Sequence, residues 1–124
     1  MACSGIIRST GQVDIIDLKG RVTLGDGSGV IRETVKGLVE KGSRSILLNL
    51  AEVTYIDSAG LGDLVGSYAT VTSVGGHMKL LHAQKRVHDV LQITKLYTVF
   101  EAFTDEAAAV ASFQTPAARA AAEG

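Results

Sequence analysis

The run Ser45-Ile46-Leu47-Leu48-Asn49-Leu50 is apolar almost without alternation. A strand with one face in water alternates, so an unbroken run this short suits a strand covered on both faces. Such a strand belongs near the middle of a largely parallel sheet flanked by helices. A short connection then leads to Asp57-Ser58-Ala59-Gly60-Leu61-Gly62. From there Leu61, Leu64, Val65, Tyr68, Ala69 and Thr72 recur at helical spacing until Gly75-Gly76. Ser58 therefore stands at a strand-to-helix turn. The first N–H groups of a helix lack intrahelical partners, so its hydroxyl is expected to cap them, and the turn can accept an anion.

The remaining segments supply neighbours for that strand. Ile6-Ile7-Arg8 and Val13 to Leu18 read as two strands joined through Ser9-Thr10-Gly11, a hairpin or meander. Gly20 to Leu24 leads into the glycine-rich loop Gly25 to Gly29, where Asp26 or Ser28 is a candidate helix cap. Ile31, Val35, Leu38 and Val39 then mark an amphipathic helix, with Gly42 as its C-terminal stop. Met78 to His82 reads as a strand, Val87, Val90 and Leu91 mark a short helix, and Val99 to Phe103 alternates as a last strand. Thr104 is the expected N-cap of a helix from Asp105 to Phe113, whose first-turn acids Asp105 and Glu106 suit the helix dipole. The alternation predicts an α/β fold: a mixed central sheet of about five strands, antiparallel at entry and then parallel, with about four helices. Residues 5–113 form the expected domain, and the alanine-rich stretch 114–124 is expected to be a flexible tail.

A chain of 124 residues suits one such domain. Its net charge of −1 offers no broad basic field, so direct nucleic-acid binding is not expected. Cys3 is the only cysteine, which excludes an internal disulfide and a thiolate metal cluster within one chain. No basic start precedes a long apolar region, and no stretch approaches the ~20 apolar residues of a membrane span. A cytoplasmic protein without a membrane role is expected, as a monomer or weak homodimer.

Catalysis fits poorly. A hydrolase nucleophile elbow needs glycine two residues before the serine, where this chain has Ile56. His77, His82 and His88 lack the spacing of a helical zinc pair and read as solvated or packing side chains. The Gly25 to Gly29 loop fails the GxGxxG pattern at Val30, and no P-loop lysine follows. No cofactor is expected, and Cys3 reads as an incidental thiol. What stays distinctive is a glycine-flanked serine preceded by an acid. Phosphorylation there would add about −1.5 to −2 charges, favoured by the helix N-terminus and opposed by Asp57. The domain could carry that charge, whereas a partner docked over it would bury an unpaired dianion. Every ~1.4 kcal/mol of that cost is a tenfold loss of affinity. Leu61 is either the first core residue of its helix or an exposed apolar contact for a partner.

The run Val53-Thr54-Tyr55-Ile56-Asp57-Ser58-Ala59-Gly60-Leu61-Gly62 resembles the signature of STAS domains of the bacterial anti-sigma-factor antagonist type, commonly Asp-Ser-Ser-Gly-Leu. The resemblance spans roughly Ile6 to Phe113 and implies the STAS fold. It implies that Ser58 is phosphorylated by an anti-sigma factor that is also a serine kinase. In that scheme the unphosphorylated antagonist binds the kinase, releasing the sigma factor, and a serine phosphatase restores it. Thr23, Asp57, Ser58, Ala59, Gly60 and Leu61 would form the partner-binding surface. Ala59 replaces the second serine, leaving Ser58 as the single acceptor, and Thr23 lies near where many antagonists have aspartate. STAS domains also serve as constitutive docking subunits in stress-signalling scaffolds and lipid-transport complexes, the alternative that the resemblance implies.

Overall fold

A computed structural model describes residues 3–24, 27 and 29–113. Five strands form one sheet in the order β1-β2-β3-β4-β5. β1 (Ser4–Thr10) pairs antiparallel with β2 (Val13–Val22). β3 (Ser45–Ile56), β4 (His77–Leu81) and β5 (Ala102–Phe103) then add in parallel. Helices α1 (Val30–Glu40), α2 (Ser58–Ser73) and α3 (Lys85–Ile93) pack on one face. A fourth helix, α4, over residues 106–113 covers part of the other.

Successive side chains of a strand point to opposite faces, and here both faces are apolar. Ile16 and Leu48 join the core under α1 and α2, while their neighbours Ile15 and Leu47 join Val13, Leu81, Ala109 and Phe113 under α4. Ile46, Leu47 and Leu48 are all fully buried, as expected of a central strand. Each such side chain contributes about 1.5–3 kcal/mol by leaving water. Tyr68 of α2 meets Phe100 edge to face at 5.0 Å, which closes the core near the far edge. Helix α1 ends as expected at Gly42 (φ 101), with Ser43 N–H donating to the Leu38 carbonyl and Gly42 N–H to that of Val39.

The structure corrects several boundaries. β2 continues through Gly20 to Val22 as one strand, with ladder irregularities between Asp17 and Lys19 and between Gly20 and Arg21. β3 runs six residues past Leu50 to Ile56, because Glu52 through Ile56 keep pairing with β2 after β4 has ended. The Ser58 turn thus sits at the tip of a two-strand extension of the sheet. The expected strand Val99 to Phe103 shrinks to Ala102–Phe103. Leu96–Thr98, just before that stretch, forms a 3-10 turn, and Phe100 buries its ring in the core. Asp105, rather than Thr104, caps α4 by accepting the Ala108 N–H at 2.8 Å. Asp26, Ser28 and the stretch 114–124 lie outside the described residues.

Candidate functional site

Asp57 is the N-cap of α2, so the hydroxyl expected to cap the helix does not do so. Its carboxylate takes both jobs that end the turn. Oδ1 accepts the Gly60 N–H at 2.9 Å, and Oδ2 accepts the Leu24 N–H at 3.1 Å. Asp57 N–H in turn donates to the Val22 carbonyl at 3.2 Å. The N–H of Gly60 and then that of Leu24 hold the Asp57 carboxyl below the usual carboxylate range, because a hydrogen-bonded carboxylate is harder to protonate.

With the cap filled by its neighbour, Ser58 is the exposed first residue of α2. Its hydroxyl makes no hydrogen bond among the described residues. Gly60 explains the closeness of the turn to β2. A Cβ there would lie 2.2 Å from the Val22 carbonyl oxygen, so only glycine lets the helix start against the strand. Ala59 and Leu61 are half-buried, and Leu61 packs against the core.

Thr23, on the adjoining chain, is only 8% exposed, whereas its neighbour Leu24 is 78% exposed. The structure therefore brings Thr23, Asp57, Ser58, Ala59, Gly60 and Leu61 to one end of the sheet, and the outward side chains there are Ser58 and Leu24. Leu24 carried no periodic signal, because it follows the last strand position and precedes a loop.

Asp63 was a second residue hidden from sequence reasoning. It is buried on α2 and accepts the Gly29 N–H at 2.8 Å and the Arg32 N–H at 3.3 Å, thereby capping α1 across the helix pair. Gly29 itself, the α1 N-cap, has no side chain for the task. The available signal was its place on the buried stripe of Gly60, Leu64, Ser67 and Val71, where an acid needs partners.

Elsewhere the reactive side chains do not converge. Among the described residues no group of three or more histidine, cysteine or acidic side chains is placed to hold a metal. Cys3 is buried, and burial pushes its thiol pKa up, away from thiolate chemistry. No described helix is long and apolar enough to cross a membrane.

Comparison with known proteins gives these features a family. The STAS domain model matches residues 6–109. The chain is 35% identical over 72 residues to the anti-sigma-B factor antagonist of Bacillus subtilis (strain 168), covering 58% of this chain and 65% of that one, less than two thirds of the relative's length. The crystal structure of TM1081 from Thermotoga maritima superposes with a TM-score of 0.82 at 22% identity, over 89% of this chain and 94% of that one. The Bacillus cell fate determinant SpoIIAA in its phosphorylated form gives a TM-score of 0.68 at 21% identity, over 88% of this chain and 98% of that one. At these identities the two structures testify to the fold. The extent of the family match, with the five-stranded mixed sheet and its Asp57-Ser58 turn, establishes that the chain belongs to the STAS domain family.

Proposed function

We propose that the chain is an anti-sigma-factor antagonist, a non-enzymatic, cytoplasmic switch whose docking surface surrounds Ser58. In this reading residues 5–113 form the working domain, and an anti-sigma-factor serine kinase binds it when Ser58 is unmodified. Phosphate on Ser58 ends the complex, and a serine phosphatase restores it. The observation that carries the reading is the exposed Ser58 hydroxyl, free of hydrogen bonds because Asp57 has taken over the cap. A kinase can reach such a group without unwinding the helix. The names of the relatives, the anti-sigma-B factor antagonist of Bacillus subtilis among them, supply the partner class.

Electrostatics gives the switch its sense. The phosphate would sit at the α2 N-terminus, where unpaired N–H groups soften its charge, so the fold survives. It would also sit beside the Asp57 carboxylate, so a partner closing over the pair would bury several negative charges. Incubation with the cognate kinase and ATP is expected to add one phosphate, mapped by mass spectrometry to Ser58. Phosphate on another residue, or none with an active kinase, would sink the proposal. In calorimetry Ser58→Ala is expected to keep its affinity while Ser58→Asp binds about tenfold more weakly. Equal binding of both would instead favour a constitutive docking subunit.

A further inference from the structure

Beside the Ser58 turn, Arg21 of β2 and Tyr55 of β3 are register partners, and the Arg21 guanidinium lies 5.9 Å from the Tyr55 ring centre. Thr54 and Arg86, the latter in the first turn of α3, complete the lining of a cleft of about 460 Å³.

The two arginines differ from the others described. Arg8 pairs with Asp17 and Glu106, Arg32 pairs with Asp63, and Arg44 donates to the carbonyls of Val39 and Ser43. Arg21 and Arg86 have no oxygen partner among the described residues. Two nearby acids are occupied. Asp57 is held by two backbone N–H groups and Asp89 by Lys85. The start of α3 is also arranged against its own dipole. Gln84 makes no side-chain cap, no acid lies in the first turn, and Lys85 and Arg86 put cations at the positive end. A local rule broken without local compensation points to something outside the chain that compensates.

We propose that the Arg21–Tyr55–Arg86 cleft receives an acidic segment of the partner protein that docks at Ser58. The inference rests on the switch reading above and names the chemistry of the partner. Guanidinium groups match carboxylates in bidentate geometry, which favours glutamate and aspartate side chains as the occupants. Both arginines are exposed, so a lone small anion would be held through water and screened. A segment that carries several carboxylates can use both arginines and rest an apolar side chain on the exposed Tyr55 ring. Three peptide units separate Tyr55 from Ser58, so their Cα atoms lie within about 11 Å. An acidic segment that lies in the cleft and continues toward the docking surface at Ser58 therefore brings carboxylates within the Debye length of about 8 Å from a phosphate on Ser58, which repels the same segment that the arginines attract.

The test is an NMR titration of the isotope-labelled full chain with a short capped peptide of glutamate and tyrosine. A lysine–tyrosine peptide, inorganic phosphate and phosphatidylglycerol vesicles serve as separate arms. The amides of Arg21, Thr54, Tyr55 and Arg86 are expected to shift with the acidic peptide. Affinity is expected to fall about tenfold in the Arg21→Gln/Arg86→Gln double variant and with added salt. Absence of shifts, shifts at another surface, an equal response to the lysine peptide, or saturation by phosphate or vesicles that the peptide cannot displace would each overturn the proposal. The titration needs no kinase. A cleft that binds the peptide in a chain whose Ser58 is never phosphorylated would defeat the switch reading alone, and a phosphorylated Ser58 beside a silent cleft would defeat this one alone.

Discussion

Asp63 on α2 lies 2.8 Å from the backbone nitrogen of Gly29, so the carboxylate of one helix finishes the N-terminus of the other. The Arg32 guanidinium, 3.4 Å away, is its counter-ion. Asp63→Ala would leave the Gly29 and Arg32 N–H groups at the start of α1 without their acceptor in a part-buried setting, at a cost of about 1 kcal/mol, with Asp63→Asn losing less because it keeps an acceptor. Urea unfolding at neutral pH measures this; equal stability of the alanine variant and the parent would refute it.

The two glycines of the α2 start have opposite futures as alanine. A Cβ at Gly60 collides with the Val22 carbonyl, while one at Gly62 meets nothing within 4 Å. Gly60→Ala is expected to destabilise by about 3 kcal/mol, by forcing the turn off the strand. Gly62→Ala is expected to stabilise by about 0.5–1 kcal/mol through helix propensity. Thermal melts of the two variants should move in opposite directions.

Acid should weaken the contact between β1 and α4. Arg8 holds the carboxyls of Asp17 and Glu106 below their ordinary values of 3.8 and 4.5. A carboxyl with a lowered folded pKa stabilises the fold above its unfolded value, and the contribution fades as pH falls through the folded one. The loss therefore begins near pH 4.5 and deepens below it. All three groups are substantially exposed, so the contribution is modest, about 1 kcal/mol for the cluster. Arg8→Met should flatten the acid limb of a stability profile, and an unchanged limb would count against this account.

Lys79 should govern α4. Its side chain is buried between the sheet and that helix, with Nζ 2.9 Å from Ser112 Oγ and 4.8 Å from the Phe113 ring centre. Lys79→Ala removes the tether and leaves a void, so the amides of residues 106–113 should exchange with solvent about tenfold faster while those of α2 keep their protection. Uniform acceleration across both helices would show instead that Lys79 supports the whole domain.

The order of elements was legible because burial on two faces and helical periodicity leave unlike marks in the chain: the Ile46–Leu48 run and the Ile31, Val35, Leu38 stripe are examples. Ends were less legible. Ala51 to Tyr55 mixes polar and apolar residues, and only the long ladder with β2 shows that the strand persists. Val99 and Phe100 looked like strand alternation, yet Phe100 turns into the core to meet Tyr68. Ser58 was the expected cap of α2, yet Asp57 holds that place, its carboxylate also reaching the Leu24 N–H that the fold brings near. The Asp63 cap and the Arg21–Arg86 cleft join residues far apart in the chain, which no local pattern encodes.

The close seating of Gly60 on Val22 has one last consequence. A turn latched by Asp57 to Leu24 and pressed against the end of β2 has little slack with which to absorb a new group on its neighbour. A phosphate placed on Ser58 would therefore be displayed rather than transmitted: it would stay as charge and bulk on an unmoved surface, and a molecule that reads it would have to come to that spot.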